Sequence, residues 1–454
     1  MVDIVNKIAH KNYNIIVPNK SNNKVNGARV NIAYSSTPIH FTSSQSQNIR
    51  TELASKEEKQ KYTTLLNFVD KNSRKQLELL LKTGILLNDN SNDKSTVLDN
   101  LYTMATTPRA KGLNQKDLVR DTIATISYPF LITQQFGDIP AKYRDLALTA
   151  NAEDKSNLVD SYFAHNDIDV EHSGTCVAAS IEFNLAEKMP AEFTRFAQGL
   201  SSPDLQVKKK IQLNNLADHT LDAIWLLNAF EIPYETNNFN DAILTFAPDK
   251  NAIIRATIQT TDRDAMERSP LDVLMQSTFM QTGSQQAYNT LTDKRGGKFN
   301  QNDKGLIEFE KTFIESVVEN KNKLSVTYQK VDENARLVGY EKDKETLKRH
   351  LLTAIDMGEN VIIGYTQVDR DNNIINGHEI TLIGYKYDQQ GKLVFICNDT
   401  DDDISKPIEY GEDYLLPKIH HAALPQKIVE AEMDTEPAWK EGLKMYQQMK
   451  REAA

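Results

Sequence analysis

Cysteine is scarce in this chain: 454 residues contain two, Cys176 and Cys397. Two cysteines do not make a disulfide scaffold, and pairing them would consume the only thiols. Free thiols suit a reducing compartment. Long apolar runs are also missing, and no stretch approaches the ~20 residues that span a bilayer. The first residues, Met1-Val2-Asp3-Ile4-Val5-Asn6-Lys7, lack the charged-then-apolar layout of a signal peptide. These absences predict a soluble, cytoplasmic protein with no membrane partner. Positive charge is short as well. Lys and Arg number 53 against 63 Asp and Glu, giving −10. The one basic triplet, Lys208-Lys209-Lys210, reads as a solvated face, so no nucleic-acid partner is expected. No phosphate loop, dinucleotide fingerprint or Gly-x-Ser-x-Gly elbow occurs. His172 and Cys176 are four apart, but a Gly-containing break falls between them and no second Cys/His pair has ligand spacing. Position four after His378 is Leu382, which removes a zincin motif. No cofactor and no metal are therefore expected.

What is present starts at Cys176. It sits in Glu171-His172-Ser173-Gly174-Thr175-Cys176-Val177-Ala178-Ala179-Ser180, a small turn running into a helix-forming stretch. A thiol at a helix N-terminus faces unpaired N–H groups and the positive end of the dipole, which favour thiolate. Such a cysteine is a candidate nucleophile if a histidine meets it in space. The lone cysteine read blandly is a small buried apolar residue.

His378 fits the partner role. It opens the strand His378-Glu379-Ile380-Thr381-Leu382-Ile383-Gly384-Tyr385, and a second strand runs from Lys392 to Asn398, with Asp399 next. A turn at Asp388-Gln389-Gln390-Gly391 folds the two into a hairpin. Alternation places His378, Ile380 and Leu382 on one face, and Val394, Ile396 and Asn398 on one face of the partner. Cys397, on the opposite face, reads as core. Asn398 is the favoured third member beside His378, and Asp399 is the alternative. Thiolate attack on a carbonyl, with imidazole as proton carrier and the third group fixing its tautomer, is the chemistry this trio implies.

In order and context these motifs resemble the papain-like cysteine peptidase superfamily. Ser-Gly-Thr-Cys176 opens a helix, Gly377-His378 opens a strand running into Ile383-Gly384-Tyr385, and a further strand ends in Asn398. The resemblance covers about 170–190 and 345–405. It implies an α+β fold in which a helical half carries Cys176 and an antiparallel-sheet half carries His378 and Asn398. It implies a cysteine peptidase acting on a peptide or protein substrate through a thioester. The sequence departs from that pattern in three places. The oxyanion glutamine six residues before the cysteine is replaced by Val170, the aromatic after it by Val177, and the Asn-Ser-Trp signature by Asn398-Asp399-Thr400. A divergent, bacterial-type member fits these departures best. The backbone N–H of Cys176 is one oxyanion donor, with His172, Asn166 and Gln135 as open choices for another. Alternatives are glutamine-directed acyl transfer of the transglutaminase or deamidase type, and an inactive binding module. The acidic run Asp399, Asp401, Asp402, Asp403 reads as a solvated turn, or else as a rim favouring basic substrate side chains.

The remaining chain divides as follows. Residues 1–50 are rich in Asn, Ser, Thr and Lys and read as disordered. Residues 51–150 read as a helical region, either a subdomain packed on the core or a pro-region. Within it, Ser55 and Glu58 form a capping box, Gly84 ends a helix, and Asn114 starts another that Pro129 stops. The catalytic domain spans 151–425, with a candidate insertion around 262–340. It includes helices at about 216–230 and from Leu306, a strand at 251–260, and a helix ending at Gly358 before the strand Asn360–Tyr365. His420 and His421 read as surface. Residues 426–454 carry a C-terminal helix, Pro437 to Lys450.

Overall fold

A computed structural model of the chain describes residues 40–41, 49–135, 174–213, 243–262, 268–284, 288–290, 294–295, 305–306, 308–332, 334–401 and 405–429. The expected disorder over most of 1–50, the helix at 216–230 and the C-terminal helix lie outside these residues. The architecture is α+β, with a helical layer packed on an antiparallel sheet.

The helical layer begins with α1 (Lys56–Phe68) and α2 (Lys71–Lys82). Ser55 Oγ accepts the Glu58 N–H at 3.0 Å while the Glu58 carboxylate accepts the Ser55 N–H at 3.2 Å, the reciprocal cap the sequence predicts. Gly84, just beyond α2, has φ +78°, a left-handed angle that costs glycine no Cβ clash. Helix α3 (Val97–Thr106) and α4 (Gln115–Ser127) follow, the latter capped by Asn114 and stopped at Pro129. Then come α5 (Cys176–Lys188) and α6 (Pro190–Leu200). Every residue of α5 from Val177 to Ala186 is buried, so this helix is surrounded rather than amphipathic. One hydrophobic core runs from Leu65 and Leu77 through Ile123 and Phe130 to Val177, Phe183 and Phe196. The 51–135 helices therefore share their core with the helix that Cys176 opens.

Residues 251–260 form α7 (Ala252–Asp262), a helix and not the predicted strand. The β-branched Ile253, Ile254 and Thr257 suggest a strand. Yet the buried positions Ala252, Arg255 and Ala256 recur at helical spacing, and the Asp249 carboxylate accepts the Asn251 N–H at 3.0 Å just before the helix. Packing overrides local preference here. The stretch read as an insertion supplies α8 (Pro270–Gly283), α9 (Glu308–Glu319) and a strand of the main sheet. Helix α10 (Lys344–Asp356) covers the far face of that sheet and ends at Gly358, φ +86°.

The sheet contains β1 (His40–Phe41), β2 (Lys323–Thr327), β3 (Val361–Val368), β4 (Ile374–Tyr387), β5 (Leu393–Asn398), β6 (Ile408–Gly411) and β7 (Ile419–Pro425). Its order is β6-β5-β4-β3-β7-β2, with β1 on the end of β4, and every pairing is antiparallel. Ile362, Ile383, Ile396 and Ala423 face the helical core, whereas Ile363, Ile380, Leu382 and Phe395 pack with α10. Leu382 pairs with Cys397 and Gly384 with Ile396, so Ile383 is an extra residue, a β-bulge in β4. Cys397 is fully buried.

His421 is buried, not at the surface as its sequence suggests. Its Nε2 lies 3.0 Å from Glu379 Oε1, and Lys311 Nζ lies 3.1 Å from Glu379 Oε2. Glu379 and His421 both stand opposite Gly364 on the strands flanking it, and they meet over its bare α-carbon. A Cβ there would lie 2.3 Å from the His421 ring and 2.7 Å from Glu379 Oε1, so only glycine fits. Burial opposes ionisation of Glu379, but Lys311 and His421 outweigh it and hold the carboxyl at about 2. That buried pairing ties α9 to the sheet one residue from His378.

Candidate active site

Cys176 is the first residue of α5, and the cap before it is unusual. The Thr175 hydroxyl does not cap the helix; it donates to Gln276 Oε1 at 2.8 Å. The first N–H groups of α5 are thus left to stabilise negative charge on sulfur or on a carbonyl oxygen. Cys176 is partly exposed, in contrast to Cys397.

His378 sits near the start of the long strand β4, with its side chain about 10% exposed. Its Nε2 lies 2.7 Å from Asp399 Oδ1, and the Cys176 side chain is near enough to act on the charge of the ring. With Nε2 committed to Asp399, Nδ1 is the nitrogen left for sulfur. The Tyr365 ring stands edge-on to the imidazole, centroids 5.6 Å apart at 74°, and fixes its plane. Burial disfavours the charged ring, but Asp399 and Cys176 prevail and hold the His378 imidazole well above its ordinary value. The arrangement therefore stabilises an imidazolium beside Asp399 and Cys176.

The side chain that reaches His378 is Asp399 and not that of the favoured Asn398. Asn398 pairs with Thr381 on β4, so it points to the face opposite His378, and its amide nitrogen is buried without a hydrogen-bond partner. The bulge at Ile383 causes this. Without it, the register set near the turn would carry Asn398 onto the face of His378. With one extra residue in β4, the parity inverts and the next residue, Asp399, takes that place.

Asp399 is held from behind. The Asp401 N–H donates to its Oδ1 at 3.0 Å. The neighbouring Thr400 is gripped by the segment that follows α4. Gln134 N–H donates to the Thr400 carbonyl at 2.9 Å, Thr133 Oγ1 donates to the same carbonyl at 3.1 Å, and Thr400 Oγ1 donates to Gln134 Oε1 at 3.1 Å. Gln134 Nε2 reaches Asp401 Oδ1 at 2.9 Å, so Asp401 is tied inward and is not a free rim charge. Asp402 and Asp403 lie outside the described residues. Of the oxyanion choices, His172 and Asn166 also lie outside them. Gln135 is buried with its Nε2 3.4 Å from the Asp401 carbonyl, which places it in the wall beside the acid.

Among the described residues no cluster of His, Cys, Asp or Glu could hold a metal ion, and no helix is long and apolar enough to cross a membrane. No family model, curated protein or solved structure matches this chain. Sequence reasoning named Cys176, His378 and the Asp399 alternative. It missed Tyr365, Gln134, Thr400 and Gln276. No local motif marks those four, because each acts through contacts with residues distant in the chain.

Proposed function

We propose that this chain is a papain-like, thiol-dependent acyl-transfer enzyme whose reaction is peptide-bond hydrolysis. The observation that carries the reading is the His378 imidazole, 2.7 Å from the Asp399 carboxylate and raised by Asp399 and by the neighbouring Cys176. Cys176 Sγ adds to the substrate carbonyl carbon, and the resulting oxyanion lies against the N–H groups at the start of α5. His378 gives its proton to the amine as the C–N bond breaks, leaving a thioester on Cys176. Water then adds to the thioester, His378 takes its proton, and the acid departs as the thiolate reforms. Asp399 keeps the imidazole oriented and balances its charge throughout.

A carboxylate in the third position also suits glutamine-directed acyl transfer, in which ammonia leaves instead of a peptide amine. One assay separates the two. The chain is incubated with unfolded casein, and new amino termini and ammonia are both measured. Termini that appear with wild type and vanish with Cys176→Ala and with His378→Ala support hydrolysis. Ammonia without new termini supports the second reading. Neither product, from a Cys176 that iodoacetamide labels no faster than Cys397, points to an inactive binding module.

A further inference from the structure

Gln276 lies on α8, fully buried, and its four hydrogen bonds go to Thr175, Arg268, Thr133 and Glu182 and to none of the three reacting side chains. Its amide nevertheless uses its whole hydrogen-bonding capacity on groups around them. Nε2 donates to the Thr133 carbonyl at 2.9 Å and to Glu182 Oε2 at 3.1 Å. Oε1 accepts from Thr175 Oγ1 at 2.8 Å and from Arg268 Nη1 at 3.4 Å. Two donors and two acceptors are all that an amide has, so the flip state is fixed and the group cannot turn without losing partners. Two of those partners lead to the site from opposite sides. Thr175 immediately precedes Cys176. Thr133 belongs to the segment that grips Thr400, next to Asp399. A continuous path of hydrogen bonds therefore runs from the nucleophile's turn through one amide to the acid's turn.

We infer that Gln276 is a positioning residue that sets the separation between Cys176 and the His378–Asp399 pair. This inference rests on the proposed thiol chemistry. The Glu182 and Asp272 carboxyls support the arrangement from below. Burial, and then the Asp272 carboxyl beside it, raise the Glu182 carboxyl well above its ordinary value, and Arg268 lies alongside. Glu182 Oε2 accepts from the Gln276 amide and holds it in place. Gln276 is the one side chain that bonds both the Cys176 turn and the segment holding the Asp399 turn among the described hydrogen bonds.

The test uses the full chain and iodoacetamide, scored by mass spectrometry at Cys176 between pH 6 and pH 10. Gln276→Met keeps the volume and removes all four bonds. Ser277→Ala, its neighbour on α8, loses bonds to Asp249 and Thr290 instead and serves as the control for ordinary loosening of this helix. Thr175→Val removes the hydroxyl from the path, and Thr175→Ser restores it. A displaced imidazole should slow labelling at pH 6 by about tenfold or more in Gln276→Met and Thr175→Val. The difference should fade at pH 10, where the thiol ionises unaided. Ser277→Ala and Thr175→Ser should follow wild type at both ends. Equal loss at pH 6 and pH 10, equal loss in Ser277→Ala, or wild-type labelling in Gln276→Met would overturn the inference while leaving the active-site reading intact. A wild-type Cys176 that labels at pH 6 no faster than free cysteine would remove that reading and this inference with it.

Discussion

Replacing Asp399 with asparagine keeps the shape at the third position and deletes its charge. Asp399 Oδ1 lies 2.7 Å from His378 Nε2, and both side chains are about nine-tenths buried. Opposite charges centred about 4 Å apart interact by about 4 kcal/mol at an effective dielectric near 20. The asparagine carbonyl can still accept from the imidazole and from Asp401, which returns about 1–2 kcal/mol. The net loss of about 2–3 kcal/mol falls on the state with a charged ring and an ionised sulfur, a change of about 30- to 150-fold. The sign follows from the raised His378. Its carboxylate partner favours the imidazolium, so removing the charge lowers the imidazole toward its ordinary value and weakens its support for negative charge on sulfur at mildly acidic pH. Iodoacetamide labelling of Cys176 at pH 6 should fall by that factor in Asp399→Asn, with little change at pH 10. Peptide turnover at pH 6 should fall in parallel. Asn398→Ala should stay within about twofold of wild type, because the lost amide nitrogen has no hydrogen bond to give up. An unaltered Asp399→Asn, or a larger defect in Asn398→Ala, would refute the assignment of the third member.

Other perturbations have equally definite outcomes. Gly364→Ala forces a Cβ against His421 and Glu379 and should cost about 1–3 kcal/mol, read as a lower Tm by calorimetry. Lys311→Met strips Glu379 of its ammonium partner and should destabilise the fold by about 3–5 kcal/mol in urea titrations. Glu379 is depressed to about 2, so its contribution is complete above the ordinary carboxylate value and is lost as pH falls toward 2. In Lys311→Met the acid-side loss should begin at higher pH. Burial, with Asp399 nearby, pushes the Cys397 thiol well above its ordinary value. One equivalent of iodoacetamide should therefore label Cys176 alone, and Cys397 should react only after unfolding.

Local chemistry was readable where the residues that decide a feature are close in sequence. Ser55 with Glu58, Asn114 before α4, and the glycines after α2 and α10 announce helix ends through caps made within a few residues. The β4–β5 hairpin announced itself by alternation and a Gly-containing turn. The bulge did not, because Ile383 fits the pleated pattern as well as its neighbours do. One concealed residue then exchanged Asn398 for Asp399. Helix α7 was missed for a related reason: its β-branched residues say strand, and the buried Ala252, Arg255 and Ala256 that decide otherwise depend on what packs against them. His421 looked like surface because its partners, Glu379 and Lys311, lie more than forty residues away in sequence.

The shared core of the first four helices and α5 bears on how such a chain could mature. A protease cutting the backbone anywhere between residues 135 and 174 would sever a peptide link without separating the pieces. Leu77, Leu101 and Ile123 would still be interred with Val177 and Phe183, and Thr133 and Gln134 would still clasp Thr400. The nicked product would migrate as two fragments under denaturing conditions and as a single particle under native ones. Stripping the amino-terminal fragment away would remove the clasp behind Asp399.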